Sequence, residues 1–151
     1  MITPLDIEGF RFHHIGVAVN DIETTSKFYE ATGWQRTIET AYDPKQNVRA
    51  CFYTQNGFPK IELIEGVDEN SPTNKILAKS GVSPYHICYG VDDISDAIKR
   101  LKKLRFMPTG RPVPSVGMPG CKVCFLYNRE YGLIELVENE NVIKQGTDEE
   151  S

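Results

Sequence analysis

The amino-acid sequence predicts an α+β protein built from two tandem copies of one β-α-β-β-β module. The residues around His14 recur around His86, 72 positions later, and those around Glu62 recur around Glu135, 73 positions later. A spacing that drifts by one residue over a whole module indicates an internal duplication. In each copy, an apolar strand-like run precedes an amphipathic helical stretch and three further strand-like runs.

The length and composition suit a globular protein with a sizeable core. The chain has 151 residues, of which 40% are hydrophobic and 25% charged, and a domain of this length buries roughly 70% of the surface of its unfolded chain. The formal net charge of −4 argues against nucleic acid as a partner. No apolar run approaches the ~20 residues that span a bilayer, so we expect no membrane contact and predict a cytoplasmic location.

We predict an arm, one folded domain of two modules, and a tail. Composition and turn signals set the boundaries of these parts. The predicted segments are the N-terminal arm 1–11, the domain 12–138 with module one 12–65, linker helix 66–82 and module two 83–138, and the acidic tail 139–151.

Module one opens with a strand over residues 12–19, where apolar and small residues follow one another almost without interruption. Such a run is typical of a strand that is covered on both faces. Because alternate residues point to opposite faces, His14 shares a face with Gly16. Asp21 can cap a following helix that runs to about Thr32.

The remaining elements follow from turn residues and apolar periodicity. Three strands close module one, a short helix begins at Pro72, and Asp93 caps a helix with apolar residues at i, i+3, i+4 and i+7. Residues 108–120 hold four prolines and three glycines, which predicts a strand edge and a surface loop. The other predicted strands are 34–42, 48–54, 60–65, the strand around His86, 122–127 and 133–138.

The duplication supplies one histidine and one glutamate per copy in matching positions. Each glutamate stands between Ile and Leu in a closing strand, where a buried carboxylate is costly unless something neutralises it. Two neutral imidazoles and two carboxylates suit one divalent ion such as Co, Zn, Ni, Fe or Mn, and leave room for a substrate oxygen. The predicted ligands are His14, Glu62, His86 and Glu135.

Other conspicuous residues have simpler interpretations. His13 lies on the opposite strand face from His14 and has no histidine counterpart, so we expect a structural role. Cys121 and Cys124 stand three positions apart in a predicted strand, which points their sulfurs to opposite faces and favours buried thiols over a shared metal. The basic run Lys99–Arg105 is interpreted as a solvated helix face.

The motifs His-Ile-Gly-Val-Ala-Val at 14–19 and His-Ile-Cys-Tyr-Gly-Val at 86–91, each with its later Ile-Glu-Leu strand, resemble the vicinal oxygen chelate superfamily. This superfamily includes glyoxalases, bleomycin-resistance proteins, extradiol dioxygenases and methylmalonyl-CoA epimerases. The resemblance covers about residues 12–138. It implies a cupped, incomplete eight-stranded barrel with helices on the outer face, and by motif position it places the metal on the same four residues.

Within the superfamily, the chain is most similar to methylmalonyl-CoA epimerases, on residues 70–77, 86–94 and 120–127. Two positions depart from the epimerase pattern. Those enzymes carry a proton-transferring glutamate where this chain has Lys45, and commonly a histidine where it has Pro119.

The resemblance implies a metal-dependent isomerase, epimerase or lyase that stabilises an enolate of a small acyl thioester such as an acyl-CoA. Glu135 is the predicted catalytic base, and Lys45 is the second catalytic candidate. A lysine in a polar turn is positively charged, so it suits an acid or an anion contact better than a base.

Three alternatives stay open at the level of sequence. A glyoxalase I-like lactoylglutathione lyase uses the same ligand set, and an Fe²⁺ dioxygenase would use His14, His86 and Glu135 as a facial triad, with Glu62 occupying a position that oxygen needs. A binding or resistance protein would hold a small molecule without catalysis. The superfamily resemblance and the arm also predict a homodimer.

Overall fold

The computed structural model describes residues 9–138, in which parallel and antiparallel strand pairs combine with three helices. The predicted α+β class is confirmed, and so is the order of elements in both copies. The elements are β1 Phe10–Val19, α1 Ile22–Ala31, β2 Gln35–Asp43, β3 Val48–Thr54, β4 Lys60–Gly66, α2 Thr73–Ser80, β5 Ser83–Val91, α3 Ile94–Lys102, β6 Met107–Pro108, β7 Val113–Pro114, β8 Lys122–Asn128 and β9 Gly132–Glu138.

Two differences from the prediction concern the first strand and the proline-rich segment. Strand β1 begins at Phe10, so two residues assigned to the arm belong to the sheet, where the Phe10 ring packs edge-on against Tyr89 at 6.3 Å. The start of the proline-rich segment holds the two-residue strands β6, Met107–Pro108, and β7, Val113–Pro114. The described residues therefore contain nine strands where eight were predicted. Both end in proline, which cannot donate to a strand ladder. Residues 1–8 of the predicted arm and the whole predicted tail, 139–151, lie outside the described residues.

The described residues form two compact units. The His14 unit comprises residues 14–86, and the Glu135 unit comprises residues 9–13 and 87–138. In the His14 unit the strand order is β2-β3-β4-β1, with β1 and β4 parallel. In the Glu135 unit, β9 pairs parallel with β5 and antiparallel with β8, which also pairs with β6 and β7. None of the three helices is long and apolar enough to cross a membrane.

Each unit packs the apolar start of a helix on its sheet, although Phe28, predicted on the apolar face of α1, is 63% exposed. In the His14 unit, Ile22 of α1 packs with Val17, Val19 and Leu63, all at most 6% exposed. The N-cap prediction is confirmed, because the Thr24 amide donates to Asp21 Oδ2 at 2.9 Å. A side-chain oxygen at this position satisfies one of the amides that a helix leaves without an internal partner.

The Glu135 unit repeats this arrangement. Ile94 and Ala97 of α3 pack with Val91, Leu126 and Leu136 of the strands. The Asp96 amide donates to Oδ1 of the predicted N-cap residue, Asp93, at 3.0 Å. The sequence pattern also placed Leu104 on the apolar face of α3. The helix ends at Lys102, however, and Leu104 beyond it is 53% exposed.

A second carboxylate binds the start of each of these helices. The Ile22 amide donates to Glu65 Oε1 at 2.7 Å, and the Ile94 amide donates to Glu138 Oε2 at 2.9 Å. In the strand register, Glu65 stands opposite Val19 and Glu138 opposite Val91, at the points where the chain leaves each histidine strand. A carboxylate at a helix N-terminus is stabilised by the helix dipole. The closing strand of each unit is therefore tied to the first residue of its helix.

We expect Glu138→Gln to lower the free energy of unfolding by about 1–2 kcal/mol, because the buried carboxylate loses its charge against the helix N-terminus. Urea unfolding followed by circular dichroism measures the change. Glu130→Gln, an exposed carboxylate in the same unit, is the control and should stay within about 0.5 kcal/mol of the parent protein. Equal stability of the two variants would show that the negative charge of Glu138 at this helix N-terminus contributes nothing.

Candidate metal centre

The register of the β1–β4 pair places His14 and Glu62 on the same strand face. Glu62 stands opposite Gly16, which follows His14 by two positions, and residues two apart share a strand face. In the β5–β9 pair of the Glu135 unit, Glu135 stands opposite Cys88. Glu135 therefore holds the register position in its copy that Glu62 holds in the other.

Three of the four predicted ligands converge within the His14 unit. His14 Nε2 lies 3.0 Å from Glu62 Oε1 and 3.3 Å from His86 Nε2. The same Glu62 oxygen lies 3.7 Å from His86 Nε2. Three donor atoms from strands that are distant in sequence therefore point at one small volume.

The three side chains are shielded from water. His14 is fully buried, His86 is 3% exposed, and the Glu62 side chain is 13% exposed. The Phe52 ring packs edge-on against the His14 imidazole, with centroids 5.1 Å apart. Phe52 stands directly opposite Glu62 in the β3–β4 register. Charged and polar groups in such a setting interact more strongly than they would in water.

Gly16 makes this arrangement sterically possible. The His86 imidazole ring lies against the Gly16 backbone, and a Cβ atom at position 16 would overlap three ring atoms, including Nε2. Any larger residue requires the ring to move, and with it the nitrogen that faces His14. The predicted shared face of His14 and Gly16 is confirmed by this contact.

The donor set fits a divalent metal ion. Ligand atoms bonded to one ion at about 2.0–2.2 Å are themselves separated by about 3.0–3.6 Å. The three distances between the donor atoms, 3.0, 3.3 and 3.7 Å, agree closely with this range. Two facing imidazole nitrogens cannot both carry a proton at this separation, whereas both can ligate an ion as neutral bases. Nitrogen and carboxylate donors together suit Zn²⁺ and its neighbours in the first transition row.

Glu135, the fourth predicted ligand, belongs to the Glu135 unit and is 4% exposed. It stands opposite Phe125 in β8, as Glu62 stands opposite Phe52. Burial, and secondarily the charge of Glu135, raises the pKa of the Cys124 thiol.

Lys45 lies in the exposed turn between β2 and β3. Its backbone amide donates to Asp43 Oδ1 at 2.9 Å. Its catalytic role stays a prediction. All four cysteines are buried, as the interpretation of the Cys-Lys-Val-Cys segment predicted, and burial raises the pKa of Cys51 to about 11.

The family follows from comparison with known proteins. A model of the glyoxalase/bleomycin resistance protein/dioxygenase superfamily matches residues 13–125. The chain belongs to this superfamily. The resemblance drawn from the duplicated His and Glu strands is thereby confirmed.

Several relatives of this superfamily member are epimerases. Ethylmalonyl-CoA/methylmalonyl-CoA epimerase of Cereibacter sphaeroides is 33% identical over 129 residues, which are 83% of this chain and 96% of the relative. Mitochondrial methylmalonyl-CoA epimerase of Mus musculus is 32% identical over 83% of this chain and 71% of its own length.

Solved structures agree with the fold. A variant of Streptomyces coelicolor methylmalonyl-CoA epimerase in complex with 2-nitronate-propionyl-CoA is 27% identical, with a TM-score of 0.77 over 87% of this chain and 98% of that one. A hypothetical protein from Bacillus halodurans is 31% identical, with a TM-score of 0.76 over 86% of this chain and 94% of the other. These likenesses confirm the predicted superfamily fold.

Two features of the centre were not predicted from the sequence. Gly16 was assigned to the histidine face without a role, although a residue without a side chain on that face already indicates a close approach. Glu65 and Glu138 occupy matching positions in the two closing strands, on the face away from the metal ligands. This symmetry in the sequence indicates the role they share, which is to accept the first amide of a helix.

We expect Gly16→Val to weaken metal binding by about 10–100-fold, the range typical of losing a group that orients a ligand, because the new side chain displaces the His86 ring. The measurement is metal content after dialysis against a competing chelator. Gly110→Val, at a glycine with open space around it, is the control and should keep the parent content. Metal retention by Gly16→Val equal to that control, with His86→Ala depleted, would contradict the steric role.

Proposed function

We propose that this chain is a metal-dependent epimerase of a small acyl-CoA thioester. The observation that carries the proposal is the buried convergence of His14, Glu62 and His86, in a chain whose relatives include methylmalonyl-CoA epimerases from several organisms. The activity named for those relatives and the donor set of this chain support the same class of reaction. Homodimer formation and a cytoplasmic location stay predictions.

The proposed ion is one of Co, Zn, Ni, Fe or Mn, and its fourth ligand is Glu135. Support comes from the duplication, since Glu135 has the same register to Cys88 as Glu62 has to Gly16. A divalent ion at this centre would act as a Lewis acid on a carbonyl oxygen and so favour loss of the α-proton. His14 and His86 hold their ring nitrogens toward the site without further reorganisation, because both rings are buried.

Glu135 is the proposed base for the α-proton. Abstraction breaks the Cα–H bond, moves the proton to the carboxylate and shifts the electron pair toward the carbonyl oxygen. Glu135 is 4% exposed, and a carboxylate is one of the side chains that serve as a general base. Return of the proton to the same face restores the substrate, so inversion requires delivery to the opposite face.

Lys45 is the proposed second participant. Its turn is exposed and its side chain is a cation, which suits contact with an anionic part of the substrate, such as a carboxylate or phosphate. In this role Lys45 orients the thioester rather than abstracting a proton. The reaction then proceeds by a one-base route, in which Glu135 removes the α-proton, a solvent water delivers a proton to the opposite face of the enolate, and Glu135 returns its own proton to solvent.

The central test is hydrogen exchange at the α-carbon. We expect the metal-loaded protein to exchange the α-proton of methylmalonyl-CoA in deuterated water, and Glu135→Gln to lower the rate by at least about 10²-fold, as loss of a catalytic base does. Mass spectrometry of the thioester measures the exchange. Glu138→Gln, three residues along the same strand, is the matched control and should retain it.

Absence of exchange in the parent protein, together with turnover of a thiol adduct of a 2-oxoaldehyde, would replace the epimerase proposal with the glyoxalase alternative. Absence of both activities, with a bound small molecule retained, would favour the binding-protein alternative.

A separate expectation concerns Lys45. We expect Lys45→Glu to maintain or raise epimerisation of methylmalonyl-CoA, because a carboxylate in that turn adds a proton-transfer group. We expect Lys45→Ala to raise KM more than it lowers kcat, since a lost anion contact weakens substrate binding. Steady-state kinetics with each variant provides the measurement. A parent protein that epimerises efficiently and a Lys45→Ala variant without activity would instead assign proton transfer to the lysine.

A further inference from the structure

A lysine lies beside the metal centre, on the same strand face as two of its ligands. Lys60, the first residue of β4, stands opposite His14 in the parallel β1–β4 pair, and Glu62 follows it by two positions. Neighbouring strands lie about 4.8 Å apart, and paired residues point to the same side of the sheet. The Lys60 side chain therefore leaves the sheet next to the His14 imidazole.

The packing of β4 agrees with this orientation of Lys60. Ile61 and Leu63 pack in the core cluster that contains Ile22 of α1, on the helix side of the sheet. Because side chains alternate along a strand, Lys60 and Glu62 point to the side away from that helix. Lys60 is partly buried there. The metal face of the His14 unit thus carries a lysine as well as its ligands.

The charge of this lysine is not matched by a neighbouring acid. Among the described residues, none forms a hydrogen bond or ion pair with the Lys60 ammonium. Glu62, two residues along the same face, instead directs Oε1 toward His14 Nε2 at 3.0 Å and His86 Nε2 at 3.7 Å. Lysine is a cation at neutral pH, and a partly buried cation is stabilised by an anionic partner. Lys60 is therefore suited to an anionic ligand at the metal face.

We propose that Lys60 determines the specificity of this site, by binding the free carboxylate of a malonyl-type acyl group. This role rests on the proposed function, in which the thioester carbonyl oxygen faces the metal centre. In a malonyl-type thioester one carbon separates that carbonyl from the free carboxylate, so the carboxylate must be bound close to the ligands of the ion. Lys60 occupies such a position as the strand neighbour of His14. An ammonium and a carboxylate form a charge-assisted hydrogen bond.

This contact distinguishes substrates that share the same carrier. Methylmalonyl-CoA is propionyl-CoA with a carboxylate in place of one α-hydrogen, so the two thioesters differ in that group alone. A carboxylate that enters a partly buried site without a partner loses solvation. A hydrogen bond between charged groups offsets this loss and corresponds to about 10–100-fold in affinity. Lys60 therefore favours the thioester with the second carboxylate.

Calorimetric titration of the metal-loaded protein with each thioester tests the assignment. We expect the parent protein to bind methylmalonyl-CoA more tightly than propionyl-CoA. Lys60→Met should weaken methylmalonyl-CoA binding about 10–100-fold and leave propionyl-CoA binding within about twofold, because methionine keeps an aliphatic stem and removes the charge. Lys60→Arg should preserve the preference. Lys75→Met, at an exposed lysine of α2, is the control and should match the parent protein.

The metal content of Lys60→Met separates specificity from a structural role. A cation beside the ion repels it, so we expect this variant to retain metal against a chelator at least as well as the parent protein. Loss of metal would overturn the specificity role. An unchanged preference for methylmalonyl-CoA in Lys60→Met would also overturn it, and loss of the preference in Lys45→Ala instead would assign the acyl carboxylate to the β2–β3 turn.

Failure of the epimerase proposal gives a different result, because it is measured by α-proton exchange rather than by binding. Exchange by the parent protein, together with a Lys60→Met variant that keeps the preference, overturns the role of Lys60 and leaves the epimerase proposal standing. Absence of exchange, together with a preference that depends on Lys60, overturns the epimerase proposal and leaves Lys60 as a carboxylate-binding residue.

Discussion

The parallel pairing of β1 with β4, held at its end by the partly buried carboxylate of Glu65, is the constraint on which the candidate centre depends. Glu65 accepts the first amide of α1 and stands opposite Val19, so β4 is bound to the point where β1 gives way to the helix. Because strand faces alternate, fixing this end also fixes which side Glu62 faces. A slip of one residue would turn the Glu62 carboxylate away from His14 and toward the helix.

Much of the fold could be predicted because the duplication provides each signal twice. The Asp21 and Asp93 caps, the closing strands and the shared face of His14 and Gly16 all follow from periods of 2 and 3.6 residues. Local patterns of this kind survive tertiary packing when the element is long and one side is buried. The proximity of His14 and His86, which are 72 residues apart, could be predicted only from the repeat.

What could not be predicted depends on contacts between distant residues. The two-residue strands β6 and β7 are too short to leave a period in the sequence. The role of Gly16 is visible only once the ring of His86 lies against it.

The glutamate–helix hydrogen bonds also bear on the order in which the chain folds. The hydrogen bond at the start of α1 requires Glu65, which lies 43 residues later in the chain than Ile22. The one at the start of α3 requires Glu138, which lies 44 residues later than Ile94. Contacts of such separation must first overcome the entropy of closing a long loop, which slows folding. During synthesis, each histidine strand and its helix therefore leave the ribosome well before the strand that secures them, and each module becomes stable only when its last strand has been made.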